Sequence, residues 1–153
     1  MLELFDGLYA PGCRTCEANS GQNRINPGPT IFEGDYWLVE HAYPVAIKGW
    51  LVIATKRHII APHELTTQEF MEYSGILQRS SELLHQELNS EKEYNMFFGE
   101  GGGFNHLHYH LVAKTPNWSE NYSGAKVFGL LKTPIPLPRE EIAAFSEYLK
   151  SKY

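Results

Sequence analysis

Apolar and polar residues alternate in short blocks along the first half of the chain, which predicts strands joined by tight turns. Residues 30–33 and 36–40 flank Gly34-Asp35, a dipeptide suited to a hairpin turn. The apolar run from Trp50 to Thr55 lies between charged and glycine residues and predicts a third strand. These segments favour an antiparallel sheet.

One long helix is predicted over residues 65–89. Thr66 or Thr67 can cap its first turn. Apolar side chains recur at the three- and four-residue spacing of a helix and predict its buried face: Phe70, Tyr73, Leu77, Leu84 and Leu88.

The second half of the chain adds two strands and a closing helix. Strands are predicted at 94–99 and 106–113, and the proline-rich stretch 115–138 is expected to be irregular. Pro138 and the acidic residues after it predict a helix over 138–150. The predicted class is therefore α+β, an antiparallel sheet of about five strands with one long helix and a C-terminal helix.

Length and charge narrow the class of protein. The 153 residues suit a single domain, 1–153, in which residues 1–29 form a loop-rich N-terminus. A net charge of −5 without a basic block argues against a nucleic acid polymer as partner. Met1 to Ala10 lacks a signal-peptide pattern, and no apolar run approaches the ~20 residues of a membrane span. We therefore expect a cytoplasmic protein without a membrane partner.

Most of the candidate chemistry lies in one histidine-rich segment. His106, His108 and His110 occupy alternate positions of a predicted strand, so their rings share one face. A neutral imidazole can attack phosphorus, and neighbouring imidazoles can donate hydrogen bonds to phosphate oxygens. His108, flanked on both sides, is the predicted nucleophile. The alternatives are a solvated strand face and a metalloenzyme whose three histidines bind one metal.

Two cysteines form a second candidate site. Cys13 and Cys16 make a Cys-x-x-Cys pair, which is compatible with a zinc site, a redox pair or chance. A tetrahedral zinc site needs two further ligands. His58 and the histidine-rich segment supply candidates.

The segment from His106 to Val112 resembles the motif of the histidine triad (HIT) superfamily, His-φ-His-φ-His-φ-φ, where φ is apolar. The stretch from Gly49 to His58 is similar to a strand of the same family. The resemblance implies a HIT-like fold and a covalent nucleotidyl-histidine intermediate on His108, whose other ring nitrogen is oriented by a backbone carbonyl. His110 would contact phosphate and assist the leaving group.

The resemblance also implies further site residues. Asn95 matches an asparagine that contacts the phosphate region. Zinc-containing HIT members use a Cys-x-x-Cys pair, a histidine after the strand and the first triad histidine. Carried over, these ligands are Cys13, Cys16, His58 and His106, and the zinc would be structural, joining the N-terminal segment to the sheet.

Three positions depart from the family's pattern. Where it often has Gly-Gln-Ser or Gly-Gln-Thr, this chain has Gly101-Gly102-Gly103, and Gly102 and Gly103 are candidates to cradle phosphate through backbone N–H groups. Trp50 follows Gly49 where the family has histidine. The acidic residue that holds ribose falls near His41, beside Glu40.

The functional expectation is hydrolysis of a dinucleoside polyphosphate or a nucleoside phosphoramidate. Nucleotidyl transfer or phosphorolysis on the same intermediate and a nucleotide-binding module with little turnover are the alternatives. The resemblance further suggests a homodimer formed through the long helix and a strand.

Overall fold

The centre of the structure, a computed structural model that describes residues 9–153, is one antiparallel sheet. Its five strands are β1 (Phe32–Glu33), β2 (Trp37–His41), β3 (Trp50–Thr55), β4 (Lys92–Met96) and β5 (His108–Lys114). They lie in the order β1-β2-β3-β5-β4, so β3 and β5 are neighbours in the middle of the sheet. The predicted α+β class with about five antiparallel strands is confirmed.

Within residues 9–153, three α-helices accompany the sheet: α1 (Arg14–Asn19), α2 (Thr67–Leu88) and α3 (Arg139–Lys152). Short 3-10 helices occur at Pro62–Glu64, Glu120–Tyr122 and Gly124–Leu130. None of the described helices combines the length and the hydrophobicity needed to cross a bilayer.

Both ends of α2 follow from local chemistry. The Thr66 hydroxyl accepts the Glu69 backbone N–H at 3.2 Å, and the Glu69 carboxylate accepts the Thr66 backbone N–H at 2.8 Å. This reciprocal pair satisfies two N–H groups at the start of the helix. Asn89 ends the helix in the left-handed region, with φ of 54°. The long helix predicted over 65–89 is confirmed.

The buried side of α2 differs from the predicted one at the first turn. Phe70 is 46% exposed, whereas Glu69 is 3% exposed. The Arg57 guanidinium donates to the Glu69 carboxylate at 2.6 and 2.9 Å, which makes burial of this charge tolerable. The prediction that Phe70 is buried is therefore wrong, because a partner distant in sequence decides which side of the first turn faces inward.

The sheet has two faces with different coverings. The helix face presents Leu51, Ile53 and Leu111, which pack in one apolar cluster with residues of α2. The histidine face presents Trp50 and Val112, which cluster with residues from the segment 118–137. Leu107, Tyr109 and Leu111 belong to the helix-face cluster, so the residues that alternate with them, His108 and His110, project from the other side.

Both strands in the second half of the chain differ at their boundaries from the sequence expectation. The strand predicted at 94–99 spans Lys92–Met96, and Gly99 with φ of 65° begins a run of left-handed glycines that leads away from the sheet. The strand predicted at 106–113 spans His108–Lys114. His106 precedes it because the next residue, Leu107, donates its backbone N–H to the Ile59 carbonyl instead of continuing the ladder.

The N-terminal segment predicted as loop contains α1. Cys13 caps this short helix by accepting the Cys16 backbone N–H on its Sγ at 3.4 Å. Residues 1–8 of the predicted loop-rich segment 1–29 lie outside the described residues.

His41 is a fully buried histidine on the helix face. Its Nε2 accepts the Gly49 backbone N–H at 3.0 Å, and its Nδ1–H donates to the Ala42 carbonyl at 2.9 Å. Both nitrogens are used by the neutral ring, and burial lowers the pKa of His41 to about 4.

We predict that the stability of the fold decreases in acid. In the unfolded chain His41 binds a proton below pH ~6.5, but the folded ring resists protonation until about pH 4. The contribution of the neutral His41 ring to the free energy of unfolding is therefore fully present above pH ~7. It is lost as the pH falls from ~6.5 to about 4, which lowers the free energy of unfolding by about 3 kcal/mol. Urea unfolding at several pH values measures it.

The matched variants are His41→Gln and His63→Gln, since His63 is an exposed histidine. The His41 variant should be less stable at pH 7.5 yet show a shallower decline in acid, and the His63 variant should keep the wild-type decline. An unchanged slope in His41→Gln contradicts the prediction.

Candidate active site and metal centre

Two cysteines and two histidines converge at one end of the sheet. One potential ligand atom from each of Cys13, Cys16, His58 and His106 lies within 4.8 Å of the others. His106 Nδ1 is 3.5 Å from Cys13 Sγ and 3.4 Å from Cys16 Sγ. His58 Nδ1 is 3.5 Å from Cys16 Sγ. The structure thus brings together the four residues that the family resemblance suggested as metal ligands.

Local structure orients each of these side chains. Cys13 and Cys16 lie at the start of α1, one turn apart, so both sulfurs point to the same side. His106 Nε2 is 2.7 Å from the Thr55 carbonyl oxygen, which only accepts, so the proton lies on Nε2. The Nδ1 lone pair therefore faces the sulfurs.

The distances suit a tetrahedral ion. With Zn–S near 2.3 Å and Zn–N near 2.0–2.1 Å, the edges of a zinc tetrahedron are roughly 3.3–3.8 Å long. The sulfur–nitrogen distances of 3.4–3.5 Å fall in this range. Burial raises the pKa of the Cys16 thiol to about 12, and a bound cation is what would favour its thiolate. The donor set fits zinc and is complete at four ligands.

His108 presents a free ring nitrogen to a cavity. Its Nδ1 lies 2.6 Å from the backbone oxygen of His106, so Nδ1 carries the proton and Nε2 keeps its lone pair. No hydrogen-bond partner of Nε2 occurs among the described residues. Burial lowers the pKa of His108, which keeps the ring neutral near pH 7. His108 therefore has the protonation state that a nucleophile requires.

His110 has the opposite proton arrangement. The indole Nε1–H of Trp50 donates to His110 Nδ1 at 2.9 Å, so the lone pair of the neutral ring lies on Nδ1 and its proton on Nε2. The His108 and His110 rings are 5.1 Å apart. In the described part of the chain, neither belongs to a cluster of three or more potential metal ligands. This finding does not support the interpretation in which all three triad histidines bind one metal.

A cavity of about 400 Å³ lies over the histidine face and suits a small-molecule ligand. Its floor includes His108, His110, Val52 and Ala54. Four further aromatic rings line it: Tyr43, Phe98, Phe104 and Phe128. The charged side chains in its wall are Arg24, Glu40, Glu100 and Lys132.

The charged side chains lie at different places in the cavity. Glu40 on β2 is the register partner of Val52 on β3, and Val52 is in turn the partner of His110 on β5. Glu40 therefore lies two strands, roughly 10 Å, from His110. Arg24 donates to the Glu40 carboxylate at 3.1 Å. Lys132 lies close enough to His110 to lower its pKa. The cavity therefore has a cation beside the histidines and an ion pair farther away.

The glycine loop supports the site in an unexpected way. Gly101 lines the cavity, whereas the carbonyls of Gly102 and Gly103 accept hydrogen bonds from Arg14 at 3.3 and 2.9 Å. A side chain on Gly103, whose φ is 83°, would meet Arg14 at 3.0 Å. These two glycines, predicted to cradle phosphate, join the glycine loop to α1.

Asn95 lies away from the histidines. It is the register partner of Leu111, on the helix face, and its side-chain amide exchanges hydrogen bonds of 2.9 and 3.1 Å with the Tyr73 hydroxyl. The sheet therefore separates Asn95 from the cavity, contrary to the role in substrate binding that was expected of it. His41 likewise faces the helix side, while Glu40 faces the cavity.

Sequence reasoning did not assign a role to Trp50 or Lys132. Trp50 was visible as a departure from the family's histidine, but its hydrogen bond depends on the pairing of β3 with β5. Lys132 follows a 3-10 helix in the irregular segment, where no periodicity indicates which side chains turn inward.

The structure is similar to several solved structures of low sequence identity. A HIT-like protein from Bartonella henselae shares 14% identity, with coverage of 95% of this chain and 99% of that one and a TM-score of 0.71. A zinc-bound histidine triad family protein from Mycobacterium smegmatis shares 18% identity, with coverage of 92% and 94% and a TM-score of 0.62. A diadenosine triphosphate hydrolase from Plasmodium falciparum shares 11% identity, with coverage of 80% and 74% and a TM-score of 0.61.

Comparison of sequences alone finds no relative: no protein-family model and no curated protein matches the chain. The likeness is therefore one of fold. With its five-stranded sheet, its long helix and these structural neighbours, the chain has the fold of the histidine triad proteins.

Proposed function

We propose that the chain is a nucleotidyl hydrolase that forms a covalent intermediate on His108. The observation that carries the proposal is the hydrogen bond from His108 Nδ1–H to the His106 carbonyl, which leaves the Nε2 lone pair in the cavity. An imidazole held in this way needs no base to become a nucleophile. The fold of histidine triad proteins supports the same conclusion.

The reaction has two displacements at phosphorus. His108 Nε2 attacks the α-phosphorus, a nitrogen–phosphorus bond forms, and the bond to the leaving group breaks with its electron pair. Water then attacks the same phosphorus, its proton passes to solvent, and the nitrogen–phosphorus electron pair returns to His108. Throughout, Nδ1–H donates to the His106 carbonyl and stabilises the positive charge that the ring carries in the intermediate.

The remaining cavity residues suit a nucleotide. His110 Nε2–H and the Lys132 ammonium can stabilise phosphate oxygens, which fits an anionic substrate despite the net charge of −5. Val52 and Ala54 offer an apolar floor for the nucleoside. Glu40 and Arg24 supply polar groups at that end of the cavity.

A structural zinc ion is part of the proposal. Cys13, Cys16, His58 and His106 would hold it, and a closed set of four ligands leaves no position for substrate. The ion would join α1 to the segments before α2 and β5. Since the carbonyl of His106 also orients His108, the metal site would stabilise the reactive geometry as well as the fold.

Substitution of His108 tests the nucleophile. His108→Asn should lower the turnover of diadenosine triphosphate by about 10³-fold or more. The variant should no longer form the covalent adduct that increases the mass of the protein by one nucleotide, but it should still bind adenosine monophosphate. Mass spectrometry of the acid-unstable adduct and calorimetry measure these effects. His63→Asn is the control, with an exposed histidine. Turnover that persists in His108→Asn would exclude the mechanism.

Lys132 is predicted to contribute to phosphate binding. Lys132→Met should weaken adenosine monophosphate binding about tenfold and leave adenosine binding unchanged, because only the phosphate loses a charged partner. Calorimetry with both ligands provides the measurement. Lys126→Met, at an exposed lysine in the preceding 3-10 helix, should change neither affinity. Equal losses for both ligands would argue against a phosphate contact.

The zinc proposal predicts one metal ion per chain. Cys16→Ser and His58→Gln should lose zinc by elemental analysis and lower Tm by about 10 °C or more, since metal-binding energy contributes to folding. His63→Gln, five residues from His58, should keep both metal and Tm. Purified wild-type protein without zinc, prepared without chelators, would contradict the proposal.

A further inference from the structure

Trp50 constrains the protonation of the second cavity histidine. Its indole nitrogen only donates, and its hydrogen atom points at His110 Nδ1 over 2.9 Å. Trp50 is fully buried and His110 is 8% exposed, so neither ring can turn readily to another partner. A protonated imidazole carries hydrogen on both nitrogens and would place two donors against each other at this contact.

The other surroundings of His110 also disfavour its charged form. On β5, the titratable neighbour is His108, at 5.1 Å between rings, and the segment after the 3-10 helix contributes Lys132. The remaining rings packed on His110 are those of Trp50 and Phe128, at 5.6 and 5.2 Å. The carboxylates that line the same cavity are Glu40, which pairs with Arg24, and Glu100, but the charges that act on the pKa of His110 are those of His108 and Lys132.

Burial, followed by the charges of His108 and Lys132, lowers the pKa of His110 to about 3. The hydrogen-bond geometry and the electrostatics therefore agree. Near pH 7, His110 offers one hydrogen on Nε2 and holds no proton that it can release without becoming an anion.

We infer that Trp50 holds His110 as a neutral hydrogen-bond donor, and that the site therefore cleaves phosphoanhydrides in preference to phosphoramidates. This inference rests on the proposed function and names its substrate class. Trp50 acts as a positioning residue, because it reaches the reacting atoms only through His110.

The two leaving groups place different demands on the site. When His108 Nε2 attacks a phosphoanhydride, the phosphorus–oxygen bond breaks and the electron pair leaves on a phosphate oxygen whose conjugate acid has a pKa of about 6. That anion departs without a proton, and the hydrogen bond from His110 and the charge of Lys132 stabilise it. In a phosphoramidate the electron pair leaves on nitrogen, which must take up a proton as the bond breaks.

Leaving-group selectivity tests the inference. The wild-type holoprotein should show a kcat/KM for diadenosine triphosphate that is about 100-fold or more above its kcat/KM for adenosine 5′-phosphoramidate. A ratio of this size is expected because the nitrogen leaving group of the phosphoramidate lacks a general acid. Trp50→Phe removes the indole donor and keeps an aromatic ring, so Nδ1 becomes free to accept a proton. In this variant the ratio should fall at least about tenfold, through a higher kcat for the phosphoramidate at similar KM.

Trp118→Phe is the matched control. Its indole also donates one hydrogen bond, to the Tyr122 carbonyl at 3.0 Å, and it lies outside the cavity lining. Its selectivity ratio should stay within about twofold of the wild type. Trp50→His gives a second variant with a smaller ring that can exchange protons with His110, and the same fall in ratio is expected.

Each outcome decides between the proposals. If the wild type cleaves both substrates equally or prefers the phosphoramidate, the inference is wrong while the proposed function stands. If the folded Trp50 variants keep the wild-type ratio, Trp50 does not control His110. If neither substrate turns over and no nucleotide attaches to His108, the proposed function fails and the inference fails with it.

Discussion

The chemistry proposed for this protein depends on one short hydrogen bond, from His108 Nδ1–H to the carbonyl oxygen of His106, two residues earlier in the chain. A carbonyl can only accept, so this contact decides which nitrogen of His108 holds the proton. Without it, the ring could carry its proton on Nε2 and would offer the cavity a donor instead of a nucleophile. The bond is local in sequence, but its geometry depends on how the chain enters β5 and on what holds His106.

His106 links the two centres of the structure. Its ring is held between the Thr55 carbonyl and the two cysteine sulfurs, and its backbone oxygen orients His108. A metal bound by the cysteine–histidine cluster would therefore affect the proposed catalysis only by fixing the position of His106. From the adjacent strand β3, on the same face of the sheet, Trp50 donates to His110 and imposes the opposite tautomer on it. The two histidines that face the cavity thus carry their protons on different ring nitrogens because their fixed partners differ, one an acceptor and the other a donor.

Local patterns predicted much of this arrangement. Alternation along the histidine-rich segment placed His108 and His110 on one face, and the threonine cap marked the start of α2 correctly. Features set by distant partners were not predictable in this way. Glu69 is buried because Arg57 pairs with it, which reversed the expected exposure of Phe70. Asn95 faces the helix because β4 pairs with β5 in the observed register, and Lys132 reaches the cavity from an irregular segment.

The protonation of the two cavity histidines is the most direct test of this account. In protein labelled with ¹⁵N on its histidine rings, long-range proton–nitrogen correlation spectra at pH 7.5 distinguish protonated from unprotonated ring nitrogens, and single-histidine variants assign the signals. The account predicts hydrogen on Nδ1 of His108 and on Nε2 of His110. Hydrogen on Nε2 of His108 would contradict it, because the nitrogen that faces the cavity would then have no lone pair with which to attack phosphorus.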